Sequence, residues 1–131
     1  MNETLFKSGI EKLNIVADDR QIRSFAEYSA LLKEWNQKMN LTAITDDEGI
    51  AVKHFLDSIL PLSCIELKEG ATVADIGTGA GFPGIPIKIM RPDISLILLD
   101  SLKKRIGFLE EVGKTLGLEK TTYIHGRTEK I

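Results

Sequence analysis

Residues 73–89 read VADIGTGAGFPGIPIKI and place Gly77, Gly79, Gly81 and Gly84, with Pro83 and Pro86, between two apolar runs. Glycine is favoured where the backbone takes φ > 0 or must come close to another group, and elsewhere it costs conformational entropy. Such a cluster directly after a strand-like run marks a loop shaped around a ligand. In an open α/β sheet that loop lies at the carboxyl ends of the strands, where ligands bind. A dinucleotide fingerprint needs G-x-G-x-x-G, whose third glycine lets helix and strand pack closely. Here the spacing is G-x-G-x-G, and Phe82 stands where that third glycine belongs. Nicotinamide and flavin therefore lose weight. A P-loop fails as well, because no Gly-Lys-Ser/Thr follows.

The alternative adenosine ligand is S-adenosylmethionine. Its methionine moiety must lie tightly against backbone, which Gly77, Gly79 and Gly81 permit, and Asp75 is placed to take the ammonium group. Asp100 ends a second apolar run 25 residues further on, where a carboxylate accepts ribose hydroxyls in dinucleotide enzymes. Thr128 and Glu129 follow a third run, on the side where the adenine would lie. Each feature also has a plainer reading. Gly81 and Gly84 could merely shape a tight strand–helix turn, and Asp100 could simply open the following helix. Lys103, Lys104 and Arg105 form the one basic triplet, either a solvated helix face or a phosphate contact. His54 and His125 have no Cys or His at ligand spacing, so they read as structural and no metal is expected. Cys64 reads as a small buried filler, and Trp35 as core.

The elements that would position these residues follow from periodicity. Asp18-Asp-Arg-Gln21 resembles a capping box, and Ile22, Phe25, Ser29, Leu32, Trp35 and Met39 then follow helical spacing. Thr45-Asp-Asp-Glu48 predicts a second capping box, opening a helix through Val52, Phe55, Leu56 and Ile59 that Pro61 ends. A shorter helix falls near residues 3–13. The regime changes at a polar turn, Leu67 to Ala71, and alternates thereafter. Thr72–Ile76 is a short strand, Pro83–Met90 a helix begun by proline, and Ile94–Asp100 a nearly continuous apolar strand buried on both faces. Ser101 is the expected N-cap of the next helix, whose Leu102, Ile106, Leu109, Val112 and Leu116 share a face and which Gly117 closes. Thr121–Gly126 is the third strand. The fold class is thus α/β: a Rossmann-like parallel sheet in the order 3-2-1, preceded by helices over 1–66. Residues 67–131 look like the N-terminal half of a larger domain, since the first strand is an unpaired edge unless more strands follow.

Composition agrees with a soluble globular chain: 43% hydrophobic and 27% charged among 131 residues. No apolar run spans a bilayer and no signal sequence opens the chain. A single cysteine forms no internal disulfide, and the expected compartment is the cytoplasm. Residues 1–70 hold 8 Lys+Arg against 12 Asp+Glu, and residues 71–131 hold 9 against 7. That balance does not advertise nucleic acid, although one local basic face suffices to contact phosphates.

The same residues carry a resemblance. EWNQKMNLTAI (34–44), KHFLDSI (53–59), ADIGTGAGFPGIPIKI (74–89), LLDSLKKRIGFLEEV (98–112) and HGRTEKI (125–131) resemble the N-terminal part of the bacterial 16S rRNA guanine-N7 methyltransferases. This is the small-subunit methyltransferase G family, also called glucose-inhibited division protein B. G-x-G-x-G is common to many methyltransferases, whereas Gly-Phe-Pro-Gly-Ile-Pro and Asp-Ser-Leu-x-Lys-Arg are more specific. The resemblance implies methyl transfer from S-adenosylmethionine to N7 of a guanine in the 530 loop of 16S rRNA within the small ribosomal subunit. It also implies cofactor contacts at Gly77, Phe82, Thr128 and Glu129, with Asp100 on the ribose. A monomer is expected, with RNA met by Lys103, Lys104, Arg105 and Arg127. A methyltransferase for another base or a small molecule, and a nonenzymatic nucleotide-binding module, stay open on the residues alone.

Overall fold

A computed structural model of the chain describes residues 1–127. The first half is helical: α1 (Glu3–Lys12), α2 (Asp19–Asn36), α3 (Asp47–Gly49), a π-helical segment (Ile50–Leu56), α4 (Asp57–Ile59) and a 3-10 turn (Leu60–Ser63). Alternating strands and helices follow, with β1 (Thr72–Ile76), α5 (Gly84–Met90), β2 (Ser95–Asp100), α6 (Lys103–Leu116) and β3 (Thr121–His125). The capping box at α2 forms as the sequence predicts, Asp18 accepting from the Gln21 amide at 2.8 Å and Gln21 returning the bond at 2.9 Å. Gly117 closes α6 in the left-handed conformation.

Several local expectations are corrected. The cap ahead of α3 is Asp46, whose carboxylate accepts from Gly49 N–H at 2.9 Å. Register thus shifts by one residue from Thr45. The α-helix does end at Ile59, two residues before Pro61 as expected, but the chain continues as a 3-10 turn that contains Pro61, where a missing N–H is tolerated. Pro83 is the N-cap of α5 rather than its first residue. Met39 lies beyond the end of α2. Ser101 caps nothing; the N-cap position of α6 falls to Leu102, which is 49% exposed and off the buried stripe of Ile106, Phe108, Leu109 and Val112. Cys64 is exposed, since the 3-10 turn carries it to the surface rather than into the core.

The three strands are parallel in the order β1-β2-β3, so β2 is central as expected. Moving one strand along in the same direction at each right-handed crossover puts α5 and α6 on one side of the sheet. β2 is covered on both faces in part: Leu96 and Leu98 are fully buried under the helices and Leu99, on the opposite face, is 4% exposed, whereas its neighbours Ile76 and Ile124 on that face are 55% and 39% exposed. Among the described residues β1 has β2 as its only strand neighbour. No helix among them is long and apolar enough to cross a membrane.

The N-terminal helices pack outside α5 and α6 and share one core with them. Phe6, Phe25, Tyr28 and Phe55 are fully buried there, with ring centroids 4.7 Å apart for Phe6–Phe25, 5.0 Å for Phe25–Phe55 and 5.3 Å for Tyr28–Phe55. Offset and tilted contacts of this kind suit the aromatic quadrupole. Gly9 lets α1 approach closely, because a Cβ there would fall 2.3 Å from Leu56 Cδ1. Polar groups finish the C-terminus of α5. Gln21 donates to the Ile89 carbonyl at 3.1 Å, and the buried Lys88 ammonium donates to the Pro92 and Ile94 carbonyls at 2.8 and 2.5 Å.

One bond joins the helical layer to the glycine loop. The Tyr28 hydroxyl donates to the Ala80 carbonyl at 2.5 Å with no solvent access. Burial, with the Asp75 charge added, pushes the Tyr28 pKa well up, so the group stays a donor. Tyr28→Phe strands a buried acceptor and is expected to lower unfolding free energy by about 1–3 kcal/mol, read from denaturant midpoints at constant slope.

Candidate functional site

The loop between β1 and α5 takes the conformation that its glycines allow. Gly77, Gly79 and Gly81 have φ of 72°, 62° and 102°. Its entry stays attached to the sheet, Gly77 and Thr78 both donating to the Leu99 carbonyl at 2.8 and 3.1 Å. A Cβ built on Gly77 or Gly79 meets nothing within 4 Å, so bare backbone faces open space at both. Gly81 differs. A Cβ there would lie 2.5 Å from the Tyr28 hydroxyl and 2.8 Å from Ile85, so it faces the interior.

Two carboxylates hold the loop from below. Asp75 accepts through Oδ2 from the Thr78 hydroxyl at 2.7 Å and from Gly84 N–H at 2.9 Å. Burial raises its pKa, outweighing these bonds, and the Asp100 charge pushes the same way. Asp100, only 2% exposed, accepts from Gly79 N–H through Oδ2 at 2.8 Å and from Leu102 N–H through Oδ1 at 3.0 Å. Arg105 lies 3.4 Å from that second oxygen and is 35% exposed. Asp100 thus takes the helix-opening duty expected of Ser101 while also fixing the loop. The parallel register brings both acids to one edge, since Ile76 pairs with Leu99 and Asp100 with His125.

Over this edge lies an open cleft of about 460 Å³, bordered by Gly77, Asp100, Ser101, Arg105, Gly126 and Arg127. Four of the residues singled out in the sequence therefore line it: Gly77, Asp100, Arg105 and Arg127. Gly79 adjoins through its bond to Asp100, and Asp75 lies half-buried beneath the loop. Lys103 and Lys104 open α6 and are exposed. Phe82 turns toward the helical layer, 4.4 Å from the His54 ring and within 9° of parallel. Thr128 and Glu129 lie outside the described residues. His125 is exposed, one ring nitrogen 3.1 Å from the Ser101 carbonyl. Among the described residues no group of three His, Cys, Asp or Glu could hold a metal ion.

Sequence reasoning passes over Tyr28 and assigns His54 only a structural part. The signal for Tyr28 is a hydroxyl-bearing ring at a buried position of a helix, which must find an acceptor. For His54 it is a neighbouring polar segment with several side-chain acceptors. His54 shares a 2.7 Å hydrogen bond with the Thr42 hydroxyl. Burial holds its pKa below the ordinary value, against the Ile44 backbone and the Asp57 charge, which act the other way.

Known proteins resemble this chain closely. Residues 21–131 match the family model described as GidB, rRNA small subunit methyltransferase G. Ribosomal RNA small subunit methyltransferase G of Alkaliphilus metalliredigens is 52% identical over 98% of the chain and 54% of its own length. The protein of that name from Exiguobacterium sibiricum is 47% identical over 99% of the chain and 55% of its own. The chain spans about half the length of the curated relatives it matches. Among solved structures, the crystal structure of a SAM dependent methyltransferase from Aquifex aeolicus superposes with a TM-score of 0.53 at 26% identity, over 76% of this chain and 49% of that one.

The raised pKa of Asp75 has a thermodynamic consequence. From the ordinary value of 3.8 upward, the folded chain keeps a proton that the unfolded chain has already lost. Stability from this group is therefore full below the unfolded pKa and is lost as pH rises through the folded one. Urea midpoints of the native chain and Asp75→Asn, taken across that window, should diverge with the native chain losing ground as pH rises. Parallel curves would show that burial does not govern Asp75.

Proposed function

The chain belongs to the rRNA small subunit methyltransferase G family, and from that premise we propose that the protein uses S-adenosylmethionine to methylate N7 of a guanine in the 530 loop of 16S rRNA. The observation that carries the reading is the open backbone at Gly77 and Gly79, a cradle that any side chain would fill. When bound, S-adenosylmethionine supplies an electrophilic methyl group on a sulfonium. Asp75 suits the ammonium end, since its two bonds from the loop both go to Oδ2 and leave Oδ1 for a ligand. A carboxylate offers about four acceptor positions, and Asp100 has three donors around it. One position on Oδ2 is open to a ribose hydroxyl, and a second opens on Oδ1 if Arg105 moves aside.

Guanine N7 carries an in-plane lone pair and no proton. The new N–C bond forms as the C–S bond breaks, and the positive charge passes from sulfur to the base, so no general base is required. The chain's contribution is alignment for in-line displacement, which proximity alone can accelerate greatly. N7 lies on the Hoogsteen edge, accessible in single-stranded loops whose bases are splayed out. Lys103, Lys104, Arg105 and Arg127 sit at the carboxyl edge of the sheet where such a base would arrive. The reading includes action in the cytoplasm as a monomer without a metal.

Calorimetry tests the cofactor: S-adenosylhomocysteine should bind and NADH should not, and the reverse result overturns the proposal. Gly79→Val should abolish binding with the fold kept, because φ there is 62° and a β-branched side chain would block the approach. A separate experiment tests the RNA interaction. Lys103→Ala with Lys104→Ala spares the Asp100–Arg105 pair and should weaken binding of a 530-loop RNA. It should also reduce the slope of log affinity against log salt by about one for each phosphate that is no longer neutralised. An unchanged slope would make the two lysines a solvated helix face.

A further inference from the structure

The segment after α2 and the π-helical segment bring polar groups together against the glycine loop. Asn36 Oδ1 accepts from the Leu41 and Thr42 amides at 2.7 and 2.9 Å and so fixes the turn that follows α2. The Thr42 hydroxyl accepts from Ile44 N–H at 3.0 Å and meets His54 Nε2 at 2.7 Å. His54 stands on the π-helical segment, a wide helical turn that recurs at functional sites. The Ser58 hydroxyl takes up its carbonyl. Its neighbour Phe55 enters the core, while the imidazole lies flat on Phe82 with centroids 4.4 Å apart and planes 9° apart.

We propose that His54 is a positioning residue for the glycine loop, its ring oriented by Thr42 and laid on Phe82 so that Gly77 and Gly79 keep their open conformation. Phe82 is the residue through which the loop leaves for α5. Its other aromatic neighbours are Tyr28 at 5.6 Å and Phe55 at 6.1 Å, both in the buried cluster. The stack on His54 is nearer and closer to parallel than either, and the Thr42 hydroxyl fixes the plane of the imidazole. A loop with three positive-φ glycines has a large conformational space to escape into, so its exit needs such a fixed contact. The role deepens the cofactor reading, and only the second of the two measurements below depends on that reading.

The first measurement is hydrogen exchange on the whole chain. The Gly79, Gly81 and Phe82 amides, bonded to Asp100 and to the Thr78 carbonyl, report the loop, and the β2 amides report the fold. In His54→Leu the loop amides should exchange about threefold to tenfold faster, as removal of one stacked ring allows, while β2 is unchanged. His54→Phe keeps a flat ring but loses the bond to Thr42, so it should restore only part of the protection, and Thr42→Val, which frees the ring's plane, should give a similar intermediate effect. The second measurement is S-adenosylhomocysteine affinity, which should fall by a similar factor in His54→Leu and recover in part in His54→Phe. Unchanged loop exchange, or acceleration shared equally by β2, overturns the positioning role. So does a His54→Phe variant as loose as His54→Leu. Failure of the native chain to bind S-adenosylhomocysteine would sink the cofactor reading and leave the exchange result to decide this one.

Discussion

The fold is organised around a stretch of backbone that is unfavourable on its own. Three glycines within five residues hold positive φ, and their amides must be satisfied without a regular ladder. The Leu99 carbonyl accepts from Gly77, the Thr78 carbonyl from Gly81 and the Asp100 carboxylate from Gly79, and two carboxylates near the strand ends span the loop. Asp75 binds the far side of the loop through Thr78 and Gly84, and Asp100 reaches across from the next strand to Gly79. The span works only because β1 and β2 are parallel and adjacent, with Asp75 opposite Leu98. Slippage of either strand by one residue would turn its carboxylate to the opposite face and separate the pair. Strand register is therefore a requirement of the loop as much as of the core.

The helical layer supports the same loop by different chemistry. Where the sheet offers charge, the helices offer rings: Tyr28 fixes the Ala80 carbonyl, and the aromatic cluster receives Phe82. Gly81 has no Cβ because Tyr28 occupies that space, while Gly77 and Gly79 have none because the space there is left open. One run of glycines thus meets two different demands, close packing below and access above. Anchors on both sides set the loop's shape before any ligand arrives, which reduces the ordering cost of binding.

Much of this is legible from residue types. The capping box at Asp18, the parallel order of the strands and the left-handed Gly117 all follow from local chemistry. So does the placing of Asp75 and Asp100 on one edge. What is not legible depends on competition between neighbours. Thr45, Asp46 and Asp47 are each capable N-caps, and only the packing of the following turn selects Asp46. Ser101 is a good cap residue by type, but the better-placed carboxylate of Asp100 takes the Leu102 amide. The third glycine of the loop looks like the first two in sequence, and its inward direction appears only once Tyr28 lies beneath it. The apolar run of β2 promises two covered faces, but both crossovers go to one side, and on the other Leu99 is buried while its strand neighbours Ile76 and Ile124 are exposed.

The position of Asp100 bears on how a site can be firm and still admit a ligand. Its bonds to Gly79 and Leu102, at 2.8 and 3.0 Å, both tie the carboxylate to backbone donors, and losing either would leave such a donor without its protein partner. The contact to Arg105 is different in kind. It is longer, at 3.4 Å, and the guanidinium is 35% exposed, so water can solvate the arginine when it leaves the carboxylate. The three donors around this acid therefore divide into two that maintain the loop and one that is exchangeable. A first hydroxyl would find the open position on Oδ2, and only a second would compete with the exchangeable contact, so the loop's two bonds would be kept. The released arginine would then sit at the rim of the cleft beside Lys103 and Lys104, as a further cation facing solvent at the edge where an anionic substrate would approach.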